Sequence, residues 1–123
     1  MLIYLMRTPA FFLIALVALL SLPLSNPVIA AEAEAAGIAR EIMEATGVKG
    51  GFVVHIGSGD GILTAALKQS ESYQVQGLDR DPAKVDSARK MIREKGLYGS
   101  VCIDRLDGER LPYTTGMVNL VVA

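Results

Sequence analysis

The chain has 123 residues, with 12 basic and 13 acidic side chains and a formal net charge of −1 at pH 7. This balance provides no excess of positive charge for nucleic acid, and no nucleic-acid partner is indicated. One cysteine, Cys102, excludes a disulfide framework, and the length fits one small domain.

An apolar leader opens the chain. Arg7 is followed by the uninterrupted apolar run 11–20, by two prolines and by a small-residue ending at Ala30. This order predicts a signal peptide over residues 1–30, and therefore export to the periplasm or the extracellular space. The alternative is a membrane anchor through residues 10–22, although the apolar run is shorter than the about 20 residues that a spanning helix needs. Cleavage after Ala30 would leave 93 residues.

A helix is predicted next, over residues 31–47. Its apolar residues Ile38, Ile42 and Ala45 are spaced by four and three positions, which places them on one helical face. Gly47 supplies the expected C-terminal stop. The pattern therefore predicts an amphipathic helix that leads into the rest of the domain.

A strand that ends in a glycine turn follows the helix. The nearly continuous apolar run Phe52–Ile56 predicts a strand covered on both faces, and Gly57, Gly59 and Gly61 come directly after it. Glycine permits positive φ and a close approach of the backbone to a ligand, so the turn predicts a nucleotide-type cofactor site. A dinucleotide fingerprint would need its third glycine at position 62, where the chain has Ile62, so an NAD-dependent oxidoreductase is the lesser alternative.

Strands and helices alternate in the remainder of the chain. The predicted elements are a helix from residue 62 to about 70, a strand over 73–78, a helix from Asp81 and Pro82 to Gly96, and strands over 100–104 and 117–122. This alternation implies right-handed crossovers and an α/β fold with a doubly wound parallel sheet, which binds its ligands at the carboxyl ends of the strands.

Asp79 ends the second predicted strand, 18 residues after Gly61. An acidic side chain at that place can accept hydrogen bonds from both hydroxyls of a ribose. The alternative is that Asp79 only builds a turn with Asp81. Its spacing from the glycine turn favours the ribose interpretation.

Three sequence blocks together resemble class I S-adenosylmethionine-dependent methyltransferases: Val53–Gly61, Leu78-Asp79 and Asp107–Tyr113. The resemblance covers nearly all of residues 48–123. It implies a Rossmann-like sheet of strand order 3-2-1-4, truncated after about four of the family's seven strands, with S-adenosylmethionine as cofactor and an unknown methyl acceptor. Because the family's acceptor loop would come after these strands, the chain is expected to be a fragment of a longer protein.

The resemblance also implies the roles of individual residues. The three glycines would shape the wall against the methionine portion of the cofactor, Asp79 would bind the ribose, and Asp107 would accept from the adenine amino group. Ser58 would contact the amino-acid end, and Arg80 would stack on the adenine. No catalytic residue and no metal ligand is assigned. The candidate cofactor-binding residues are Gly57, Ser58, Gly59, Gly61, Asp79, Arg80 and Asp107.

Two positions depart from the family pattern. His55 stands where the family has an acidic residue near the cofactor's ammonium group, and we expect a packed, hydrogen-bonded imidazole there rather than a general base. Asn119 stands where the fourth strand of many relatives has an aspartate. These departures, with the leader, favour the alternative of a noncatalytic exported binding or assembly module, because S-adenosylmethionine is an intracellular metabolite.

A narrower resemblance concerns the leader together with the segments 45–51 and 96–99. These features are similar to certain exported bacterial proteins in which a methyltransferase-like domain precedes a quinoprotein-type β-propeller. The resemblance implies a further domain after Ala123.

Overall fold

The computed structural model describes residues 26–123. Three helices and four strands follow one another: α1 Pro27–Thr46, β1 Gly51–Ile56, α2 Ile62–Ala66, β2 Tyr73–Asp79, α3 Pro82–Glu94, β3 Val101–Arg105 and β4 Leu120–Val122. In this part of the chain the strands form one parallel sheet in the order β3-β2-β1-β4. The predicted fold class and strand order are confirmed.

Helix α1 begins earlier than the sequence pattern predicts. The Asn26 side chain accepts a hydrogen bond from the Val28 N–H at 3.0 Å, and Pro27 occupies the first turn, where a missing N–H costs nothing. Ala30, the predicted cleavage position, therefore lies in the first turn of a helix. The rest of the predicted leader and the alternative anchor at residues 10–22 lie outside the described residues. Within residues 26–123, no helix has the length and apolar character to cross a membrane.

The buried face of α1 differs from the predicted one. Ala35, Ala39 and Met43 are buried, whereas Ile38 remains 40% exposed and Ala45 is exposed. The prediction gave weight to large apolar residues, but α1 packs directly against α2, and small alanine side chains allow the two helices to approach closely. The predicted face of this helix was therefore only partly right: Ile42 is partly buried and packs against the core, whereas Ile38 and Ala45 stay exposed.

The sheet has two differently covered faces. The face under the three helices, here called the helix face, holds the larger core cluster, which includes Val53 of β1. The opposite face, here called the loop face, holds Val54, Leu78 and Leu106, covered by partly buried side chains of the segment between β3 and β4. Because Val53 and Val54 are both fully buried, β1 is covered on both sides, as its apolar run predicts.

Strand β4 is shorter than its predicted range. Met117 donates its N–H to the Thr114 carbonyl at 3.2 Å, so a turn replaces the first residues of the predicted strand. Ladder pairing with β1 starts at Leu120, opposite Val53. Helix α2 is also short, because it ends at Ala66 rather than near residue 70.

Candidate functional site

The glycine turn connects β1 to α2. Its three glycines have φ values of 77° at Gly57, 55° at Gly59 and 82° at Gly61, a backbone region that residues with a Cβ rarely adopt. The N–H groups of Gly57 and Ser58 both donate to the Leu78 carbonyl, at 2.8 and 3.1 Å. These bonds fix the turn to the carboxyl end of the neighbouring strand β2.

The three glycines differ in their surroundings. A Cβ at Gly57 would meet no atom within 4 Å, and one at Gly59 would meet only the Gly57 carbonyl, at 4.0 Å. A Cβ at Gly61 would lie 3.1 Å from both Ala88 and Met91 of α3. Gly57 and Gly59 thus leave an open cradle that a ligand can enter, whereas Gly61 lets α2 start close to α3.

Asp79 holds the turn with its carboxylate. Its Oδ2 accepts from the Gly59 N–H at 2.9 Å, and its Oδ1 accepts from the Asp81 N–H at 3.0 Å. The bonds from Asp81 and then from Gly59 lower the pKa of Asp79, because they favour the ionised form. A carboxylate has about four acceptor positions, so roughly two remain for a ligand. The turn with Asp81 and the ribose interpretation are therefore compatible.

The lowered pKa of Asp79 predicts an acid-sensitive contribution to stability. A depressed carboxyl pKa stabilises the folded state above the unfolded value, near 3.8, and this contribution disappears as the pH falls through the folded pKa. We expect Asp79→Asn to lower the free energy of unfolding at pH 7, and the difference from wild type to shrink toward pH 3. Urea unfolding at both pH values measures this difference. A difference that stays constant with pH would contradict the assigned role, and Asp86→Asn on the exposed face of α3 is the control.

The Ser58 side chain points into the core. It is 3% exposed, and its Oγ has no hydrogen-bond partner among the described residues. Its Cβ faces Gly77 of β2, where an added Cβ would lie 2.8 Å from it, 2.9 Å from Thr64 Cγ2 and 2.7 Å from Ile103 Cδ1. The Ser58 side chain therefore lies on the helix face, and only the backbone of Ser58 lies at the turn. Gly77, which sequence reasoning missed, makes this close packing possible.

His55 is a buried, hydrogen-bonded imidazole, as predicted. It is 7% exposed, and its Nδ1 lies 2.8 Å from Thr64 Oγ1. Burial lowers the pKa of His55 and outweighs Asp60 and Asp79, which raise it. The ring is therefore neutral at pH 7. Asp60, the remaining acid of the turn, accepts at 3.0 Å from the N–H of Ile62, the first residue of α2.

Arg80 and Asp107 lie at neighbouring strand ends. Arg80 is exposed directly after Asp79, and Asp107 follows β3 with its side chain 76% exposed and its Oδ1 3.0 Å from Arg105 Nε. The Leu106 N–H donates to the Asp79 carbonyl at 2.9 Å, which brings the start of the Asp107 segment beside the end of β2. The predicted residues are thus brought together at the carboxyl ends of the strands.

Asn119 lies at the opposite end of the sheet, where β1 and β4 begin. Its Oδ1 accepts from the Phe52 N–H at 2.9 Å, and its own N–H donates to the Phe52 carbonyl at 2.8 Å. Gly51 has a positive φ of 97°, and an added Cβ would also clash with this amide, so the position favours glycine. Asn119 therefore joins β4 to the start of β1 and takes no part in the candidate site.

Comparisons with known proteins agree with this geometry. Residues 53–123 match the family model described as a methyltransferase domain. The ribosomal protein L11 methyltransferase of Exiguobacterium sp. is 33% identical over 75 residues, which are 61% of this chain and 23% of that protein. The family match agrees with the predicted methyltransferase family and, with it, S-adenosylmethionine as the cofactor.

Solved structures show the same fold. A Methanococcus maripaludis protein assigned as an S-adenosyl-L-methionine-dependent methyltransferase superposes with a TM-score of 0.67 at 26% identity, over 74% of this chain and 42% of that chain. The glycopeptide N-methyltransferase MtfA, solved with sinefungin, gives 0.57 at 23% identity, over 71% of this chain and 35% of that chain, and this likeness shows the fold alone. The chain spans less than half the length of these relatives.

Proposed function

Because the chain belongs to the methyltransferase domain family, we propose that it forms the cofactor half of a methyl-transfer site. The observation that carries the proposal is the open cradle at Gly57 and Gly59, held in place by the Asp79 carboxylate. When bound, S-adenosylmethionine supplies an electrophilic methyl group on its sulfonium. The protein's contribution is to hold that methyl in line with an acceptor, since orientation alone lowers such a barrier substantially.

The residues of the site fit the polar groups of this cofactor. Gly57 and Gly59 let its methionine portion approach the backbone. Asp79 keeps acceptor positions for the two ribose hydroxyls, and its low pKa maintains it as an acceptor. Arg105 engages Asp107 through Oδ1, and Oδ2 of this exposed side chain would be the oxygen that accepts from the adenine amino group.

Acceptor recognition is proposed to reside outside the described four-strand part. His55 is neutral, buried and turned toward Thr64, so it provides no base at the turn. Transfer then relies on proximity of an acceptor that arrives with its own nucleophilic atom. Export through the leader, the propeller-type context and the fragment status remain proposals from the sequence.

A noncatalytic exported binding module is the second candidate function. The buried state of His55 favours it, because the position that the family fills with an acid here provides no negative charge near the cofactor's ammonium group. Such a module would retain the nucleoside site of Asp79 without turnover.

Calorimetric titration of the full chain tests both candidates. We expect S-adenosylmethionine and S-adenosylhomocysteine to bind and NAD to give no heat. A labelled methyl group that reaches an acceptor in cell extract would support transfer, and binding without turnover would support the module. Heat from NAD alone would favour an oxidoreductase, and silence toward all three ligands would overturn the proposed site.

Two glycine variants locate the binding. Gly57→Ala is expected to weaken S-adenosylhomocysteine affinity about tenfold or more, because the new methyl fills the cradle. Gly96→Ala is the matched control. Gly96 also has a positive φ, 70°, and open space around it, but it lies between the end of α3 and the start of β3, away from the glycine turn. Both variants should lose similar stability, about 1 kcal/mol. Equal affinities for the two variants would remove Gly57 from the site.

A further inference from the structure

The loop face carries a chain of four polar side chains. Tyr113 donates its hydroxyl to Gln76 Oε1 at 2.5 Å, and Gln76 donates its amide to Asp104 Oδ2 at 2.5 Å. Arg89 of α3 then reaches around the edge strand β3 and donates to Asp104 Oδ1 at 2.8 Å and to the Ile103 carbonyl at 2.7 Å. These bonds join α3, β3, β2 and the segment before β4.

Tyr113 is the end of this network that holds a loop. Its ring packs edge-on against Phe52, with centroids 5.3 Å apart and an interplanar angle of 82°. Burial, and then the charge of Asp104, raise the pKa of the Tyr113 hydroxyl. The hydroxyl therefore remains a donor at neutral pH. A partly buried hydroxyl with a single directional bond fixes the ring in one orientation.

Both ends of the segment 106–113 are tied to β2. Leu106 is buried in the loop-face cluster and donates its N–H to the Asp79 carbonyl, while Tyr113 is bonded to Gln76, three residues earlier on the same strand. Between these two anchors, Asp107 to Arg110 are exposed. Fixing both ends of a short loop restricts the positions that its side chains can reach.

We infer that Tyr113 is a positioning residue for Asp107. Through Gln76, it fixes the second anchor of the loop whose first exposed residue is the proposed adenine acceptor. This inference rests on the proposed function, because it assumes that Asp107 meets an adenine. The Tyr113 hydroxyl, on the loop face, then influences how well the site distinguishes adenine from other purines.

The test compares two ligands and four variants of the full chain by calorimetry: Tyr113→Phe, Asp107→Ala, the two combined, and a control. The ligands are S-adenosylhomocysteine and its analogue with hydrogen in place of the purine 6-amino group. Tyr113→Phe retains the ring against Phe52 and removes only the hydroxyl. We expect it to weaken S-adenosylhomocysteine binding about three- to tenfold, the size of one net hydrogen bond, and to leave affinity for the analogue unchanged. Combined with Asp107→Ala, it should add no further loss.

Tyr73→Phe is the matched control, because Tyr73 donates its hydroxyl to the Val48 carbonyl at 2.9 Å at the opposite edge of the sheet. It should leave the ratio of the two affinities at the wild-type value. Equal weakening of both ligands by Tyr113→Phe, or an additive effect with Asp107→Ala, would show a purely structural role and overturn the inference. If the wild-type chain binds neither ligand, the proposed function fails first, and the inference falls with it.

Discussion

Asp79→Ala is expected to weaken S-adenosylhomocysteine binding more than any other single change at the candidate site. The substitution removes the acceptor for the ribose hydroxyls and also the partner of the Gly59 N–H, so it alters the ligand contact and the turn together. Hydrogen bonds to a charged group are worth about 1.5 to 3 kcal/mol each, so two of them correspond to a loss of about a hundredfold or more in Kd. Titration calorimetry at pH 7 measures the change in Kd.

Two further variants separate the contributions of Asp79. Asp79→Asn retains an oxygen that can accept from Gly59 but loses the charge, and it should fall between wild type and alanine. Asp81→Ala is the control, because Asp81 caps α3 through the Ala83 N–H at 2.9 Å and faces no proposed ligand group. It should reduce stability by about 1 kcal/mol and leave Kd unchanged. If Asp79→Ala binds as tightly as wild type, the ribose lies elsewhere.

The sequence predicted the elements around the site well because local patterns determine them. An apolar run that meets alternate glycines can hardly be other than a strand and a turn, and Asp81 with Pro82 marks a helix start that the structure confirms. Parallel strands separated by helices bring their carboxyl ends to one edge. The positions of Asp79 and Asp107 at neighbouring strand ends follow from that rule.

Tertiary packing decided what the sequence could not predict. Two of the three buried residues of α1, Ala35 and Ala39, are alanines, whose small size gives a weak periodic signal. Ser58 was predicted to contact the amino-acid end of the cofactor, and the sequence did not indicate that its side chain would fill the space left by Gly77, which lies opposite His55 in the strand register. The role of Tyr113 as an anchor depends on Gln76 of β2 and the segment between β3 and β4 lying on the same face of the sheet. None of these contacts lies within a few residues along the chain.

Gly77→Ala is expected to cause the largest loss of stability. The added methyl would lie 2.7 Å from Ile103 Cδ1, 2.8 Å from Ser58 Cβ and 2.9 Å from Thr64 Cγ2, all on the helix face. Overpacking of a dense core costs about 1 to 3 kcal/mol, and contacts on three sides place this variant at the upper end. Urea unfolding monitored by circular dichroism measures the loss. Since Ser58 belongs to the glycine turn, affinity for S-adenosylhomocysteine should fall as well.

A second glycine and a compensating substitution make the test specific. Gly37 lies inside α1 with no atom within 4 Å of an added Cβ, so Gly37→Ala should stabilise the chain by about 0.5 to 1 kcal/mol. Ile103→Val removes the methyl group that approaches position 77 most closely, and it should recover part of the stability lost in Gly77→Ala. Contacting residues show such coupling, whereas independent sites add. Strict additivity of Gly77→Ala and Ile103→Val would mean that the strand has shifted to accept the methyl, and that β2 does not hold the turn as rigidly as its bonds to Gly57 and Ser58 indicate.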